Sequence, residues 1–132
     1  FEAHRTSVDV VATSEVSVSL TVDDDQHLDS VVAQLREFGD VSVERGRGIV
    51  ALVGAGLGES SPTMARALAA IGEVRLHMLS LSATGINLTF IVDDDDVKPV
   101  MRRLHVAFFG ALAGPDAAVK PRVAAERARA VR

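Results

Sequence analysis

Two carboxylates, Asp9 and Glu15, lie in the hydroxyl-rich segment SVDVVATSEVSVSLT of residues 7–21, with Ser7, Thr13 and Ser14 beside them. Val16, Val18, Leu20 and Val22 alternate with Ser17, Ser19 and Thr21, the pattern of a strand with one buried and one wet face. A first strand over about 7–12 and a second over about 15–22 would put a turn at 11–14, with an acid at each end. Burial of Val8, Val10 and Val16 would hold both carboxylates close to apolar surface. Two such groups repel and resist joint ionisation. A ligand ammonium between them would relieve that repulsion and donate charge-assisted hydrogen bonds to both. The chemistry implied is capture of a small cation rather than bond making. The plainer alternative is a pair of exposed turn acids.

Other segments carry weaker signals. Gly54, Gly56 and Gly58 follow an apolar strand and precede a helix, as in a phosphate cradle. No doubly wound unit with a ribose-binding acid fits in the remaining chain, so a tight strand-to-helix turn is the better reading. The aspartates at 23–25 and 93–96 each precede a helix, where acids cap free N–H groups and suit the positive dipole end. Their spacing is not that of a calcium loop. His4, His27, His77 and His105 are scattered with no pair at ligand spacing, so no metal site is expected. No catalytic constellation is recognisable either.

The 132 residues suffice for one ordinary domain or two small ones. At 48% hydrophobic and 24% charged the chain is globular in composition. Lacking cysteine, it has no disulfides or thiolate metal sites, which fits a cytoplasmic location. A net charge of −4 argues against nucleic acid or an anionic membrane as the main partner. No apolar run approaches the ~20 residues of a membrane span. The chain begins at Phe1 rather than Met and reads as a fragment of something longer.

Elements that would position the acids follow in order. A helix is expected from His27 to Phe38, with Leu28, Val31, Val32 and Leu35 on one face. Short strands follow at 41–44 and 49–53. Ser61 as N-cap with Pro62 at the first position opens a helix ending at Gly72. Strands at 74–81 and 86–92 lead to a last helix over Val97–Phe109. Val22-Asp23-Asp24-Asp25 and Val92-Asp93-Asp94-Asp95 lie 70 positions apart, and the same shift carries Val16, Val18 and Leu20 onto Ile86, Leu88 and Phe90. A strand-turn-strand-helix unit is duplicated. The second copy also has the strand and helix before it, giving β-α-β-β-α. The fold class expected is α+β, a tandem of ferredoxin-like βαββαβ modules with antiparallel sheets, the first truncated at its N-terminus, without its opening strand and most of its first helix, whose last turn would be residues 1–5. From Gly110 the composition becomes that of a linker or a solvated, helical tail.

Four segments resemble the regulatory region of aspartate kinases, in order and spacing: residues 7–21, VSVERGRGIVALVG at 41–54, HMLSLSATGINLTFIV at 77–92 and LHVAFF at 104–109. The resemblance implies a pair of ACT modules, amino-acid sensors attached to a kinase domain: 1–46 would be the first, 47–109 the second and 110–132 a linker or tail. It implies that Val8, Asp9, Ser14, Glu15 and Val16, and more weakly Ser7, line a lysine pocket at a homodimer interface, with threonine the other candidate effector. Part of that pocket would come from upstream of Phe1. The Ala83-Thr84-Gly85 turn lacks the acid at Glu15, so the second module is expected to bind no lysine and to serve packing and dimerisation, although Asn87 matches a polar family position. The kinase segment of the Lys-Phe-Gly-Gly-Thr-Ser type is absent, so catalysis, ATP and Mg belong to the kinase domain of the parent chain. The tail would lead into a fused enzyme such as a diaminopimelate decarboxylase or a homoserine dehydrogenase. The alternative function is an ACT-type oligomerisation module without a ligand.

Overall fold

A computed structural model describes residues 1–23, 26–110 and, for the backbone, 129–131. In chain order the elements are β1 (Val8–Thr13), β2 (Val18–Val22), α1 (Leu28–Leu35), β3 (Val43–Glu44), β4 (Arg47–Val53), α2 (Ser61–Ile71), β5 (Met78–Leu81), β6 (Asn87–Asp93), α3 (Val97–Phe109) and β7 (Arg129–Val131). The chain divides into two compact units, Phe1–Gly48 with Glu126–Arg132, and Ile49–Ala125.

In the first unit the sheet order is β1-β2-β7-β3. The β1–β2 hairpin is antiparallel, and β7 pairs antiparallel with both β2 and β3. Val22, Leu28 and Val32 form the core, with Phe1, Val8, Leu20, Val41 and Val43 packed around them. Leu28, Val31 and Val32 of α1 are buried, as the i, i+3, i+4 spacing requires. The helix stops at Leu35, three residues before the expected end. Phe38 is exposed, so no burial holds the helix together over residues 36–38.

The second unit has the order β-α-β-β-α, and its sheet runs β4-β6-β5. Alternate residues Val50 and Leu52 of β4 and Leu88, Phe90 and Val92 of β6 meet Ala67 and Ile71 of α2 and Val97, Val100 and Leu104 of α3. Period 2 on the strands and about 3.6 on the helices thus converge on one apolar layer. This is the mixed α/β sandwich with antiparallel pairing that the duplication implies.

Local details differ from the sequence reading. The N-cap of α2 is Ser60, whose hydroxyl accepts from the Thr63 amide at 3.4 Å, so Pro62 sits one place later than expected. Asp94–Asp96 form a single 3-10 turn into α3, and Asp96 at the N-cap makes no side-chain capping bond. Asp93 instead pairs with His77 Nε2 at 3.1 Å. The acids before α3 therefore act through charge at the helix start rather than by capping. Asp24 and Asp25 of the earlier run lie outside the described residues; the N-cap of α1 is His27, also without a capping bond. Most of the expected linker or tail lies outside the described residues too. Its described residues Arg129–Val131 form a strand, because the first sheet offers hydrogen-bonding partners on both sides.

Candidate functional site

The hairpin carrying the two acids turns later than the sequence suggests. Thr13 pairs with Val18, and residues 14–17 form the turn, closed by the Ser14 amide donating to the Ser17 carbonyl at 2.8 Å. The Ser14 hydroxyl lies 2.8 Å from the Ser17 hydroxyl and accepts from the Ser17 amide at 3.2 Å. Ser14 thus stabilises the turn that carries Glu15 and Val16. Glu15 is exposed at the tip, and Val16, expected to be buried, is 93% exposed. The expected alternation of a buried and a wet face is not kept: Val18 is exposed, Ser19 and Leu20 are half-buried, and Thr21 and Val22 are both buried, so the strand sinks into the unit from its open end. Asp9 does not flank the turn. It sits inside β1, exposed, between half-buried Val8 and Val10. Ser7 precedes the strand and is exposed.

Asp9 occupies an irregularity in the ladder. Val8 pairs with Val22, but the next pair is Val11 with Leu20. Asp9 and Val10 together therefore face Thr21 alone, a bulge of two residues against one. The Val10 amide, without a ladder partner, donates to the Thr21 hydroxyl at 3.1 Å. Thr21 is 0% exposed. Sequence reasoning missed this residue, whose only signal was a threonine where the second copy has an aliphatic.

The second copy provides an internal comparison. Its hairpin β5–β6 keeps one register throughout, from Met78 opposite Ile91 to Leu81 opposite Leu88. The shift of 70 places Ile91 at Thr21 and Gly85 at Glu15. The glycine loop here closes onto the turn: the Gly58 amide donates to the Gly85 carbonyl at 3.1 Å, and the Gly54 amide to Ile86 at 2.9 Å. A Cβ on Gly58 would lie 3.1 Å from the Gly85 Cα, so the facing backbone would have to give by a few tenths of an ångström to admit a side chain. The loop is a tight turn packed on its neighbour, and the corresponding place in this unit is filled by main chain.

Elsewhere, Ala3, His4, Arg5 and His27 line an open concavity of about 310 Å³ that includes none of the six candidate residues. It brings together two histidines that the sequence left scattered. No cluster of three or more metal-ligating side chains occurs among the described residues. No helix among them is long and apolar enough to cross a membrane.

Comparison with known proteins agrees with this architecture. Residues 50–108 match the ACT domain family. The chain is 35% identical over 134 residues to the chloroplastic aspartokinase 1 of Arabidopsis thaliana, covering 93% of this chain and 23% of that protein. It is 32% identical to the lysine-sensitive aspartokinase 3 of Escherichia coli, covering 80% of this chain and 25% of that enzyme. The chain thus spans about a quarter of the length of these curated relatives. The solved C-terminal regulatory domain of aspartate kinase from Porphyromonas gingivalis superposes with a TM-score of 0.72 at 36% identity, covering 83% of this chain and 74% of that one. With the duplicated unit, the sheet order and these likenesses in agreement, the chain belongs to the family of aspartate kinase regulatory regions built from ACT domains.

Proposed function

We propose that this chain is the amino-acid-sensing part of an aspartate kinase and that lysine is its effector, bound through Asp9 and Glu15 for feedback control of the kinase. The observation that carries the reading is the contrast between the two copies. The first hairpin presents exposed carboxylates on a bulged strand and at its turn, and the second replaces the turn acid with Gly85 packed against Gly58. Two carboxylates suit a ligand with two ammonium groups, because each charge-assisted bond contributes ~1.5–3 kcal/mol. The relative named as lysine-sensitive supports the choice. Threonine, with one ammonium, uses the acids less well. Lysine would act by binding one conformer of the assembly better than another; a difference of ~1–3 kcal/mol shifts such an equilibrium roughly 5- to 150-fold. ATP, Mg and phosphoryl transfer would belong to the kinase domain of the parent chain.

The test is calorimetry on the full-length parent protein with lysine, threonine and methionine. Lysine is expected to bind and to inhibit the kinase. Binding of none of the three refutes the sensing reading and leaves oligomerisation. One observation favours an oligomeric site: Val11, Val16 and Val18 are 52%, 93% and 52% exposed beside the acids, an aliphatic end that a second copy would cover.

A further inference from the structure

We infer that Thr21 is a positioning residue for the effector site: its hydroxyl pins the bulge that sets Asp9 in place. The inference rests on the reading of Asp9 as an effector ligand and adds a residue that touches no effector itself. A bulge inserts one residue, bends the strand and leaves a backbone amide without a ladder partner. Here that amide belongs to Val10, and the hydroxyl of wholly buried Thr21 accepts from it. An apolar side chain at position 21 would strand a part-buried N–H, which is costly enough to favour another register.

The alternative register is available to this sequence. Val10 and Val11 are identical in type, so either can stand opposite Leu20. Sliding from one to the other would abolish the bulge and place Asp9 directly across from Thr21. It would also change the distance along the strand from Asp9 to Glu15, because every residue of β1 beyond the bulge changes face. The second copy displays the outcome. Where the strand carries Ile91 in place of Thr21, the hairpin is regular, with Met78 alone opposite it. Hydroxyl and bulge occur together in the copy that has the acids, and both are missing from the copy that lacks Glu15.

The test compares wild type, Thr21→Val and Thr21→Ser. Valine keeps the shape and removes the hydroxyl; serine keeps the hydroxyl and removes the methyl. Amide exchange at Val10, followed by NMR in the 132-residue chain, is expected to quicken about tenfold in Thr21→Val and to return towards wild type in Thr21→Ser. Lysine affinity of the full-length parent should fall about tenfold in the first variant and recover in the second. A mere loss of packing would give the opposite order, with serine the worse. Unchanged exchange at Val10 in Thr21→Val overturns the pin. Faster exchange with unaltered lysine affinity overturns its role in the site. A wild-type protein that binds no lysine refutes the effector reading, and the exchange measurement then decides the pin by itself.

Discussion

Asp9 and Glu15 are both exposed, so neither is needed for the core and each can be changed without disturbing it. Asp9→Asn and Glu15→Gln keep size and hydrogen-bonding capacity but remove the charge. Each is expected to weaken lysine binding roughly tenfold to a hundredfold, the loss of one charge-assisted bond, while kinase activity without lysine stays at the wild-type level. Inhibition curves of the parent enzyme decide it: unchanged lysine sensitivity removes that acid from the site. Glycine 85 makes the opposite case. Its φ of 67° lies in the left-handed region, and a Cβ there would come within 3.3 Å of the Gly58 amide nitrogen. Gly85→Ala should therefore destabilise the second unit by about 1–2 kcal/mol in chemical denaturation, without touching lysine binding. The presence of both acids among hydroxyl neighbours was legible in the sequence. Their placement was not, because adjacent valines at 10 and 11 leave the register undetermined by polarity alone.

The hairpin is the element on which these residues depend, and its outer end is unusually apolar. Val16 and Val18 gain nothing from this fold in isolation, since both are more than half exposed. Covering them with a second copy would bury aliphatic surface at ~25 cal/mol per Å². Val16→Lys is accordingly expected to weaken self-association of the parent at least tenfold in sedimentation equilibrium, and to leave the melting of the monomer unchanged. If the variant associates as well as wild type, the hairpin end is not an interface. The elements themselves were largely readable. The duplicated alternation located both hairpins, and α3 begins and ends where its apolar spacing requires. The α1 boundary failed at Phe38, an apolar residue with nothing to pack against. Residues 129–131 could not be read as a strand, for Arg129-Ala130-Val131 in an Ala-rich, cationic setting has no local preference for one; the conformation comes from pairing with residues far away in sequence.

At the scale of the whole molecule, that pairing means the first unit is built from both ends of the chain, with the second unit lying between them in sequence. β7 stands between β2 and β3: Val131 faces Leu20 on one side and Val43 on the other, and Ala130 faces Thr21 and Glu44. Without it β3, only two residues long, would have no strand neighbour within the described sheet, and β2 would expose the edge next to Thr21. Proline lacks the amide hydrogen and fits poorly in a central strand. Ala130→Pro is therefore expected to remove ladder bonds, each contributing about 1 kcal/mol, and to loosen the first unit alone. Those amides of β2 and β3 that point towards β7 should exchange faster, while those of Val50, Leu88, Phe90 and Val92, whose core draws only on the second unit, keep their protection. The Val10 amide is the sensitive reporter of coupling. Since β2 holds β7 on one edge and the bulge on the other, loss of the tail strand should reach Val10 through Thr21 and weaken lysine binding as well. Protection that stays the same across β2 and β3 would show that the tail strand does not support this sheet, and the site would then depend on the hairpin alone.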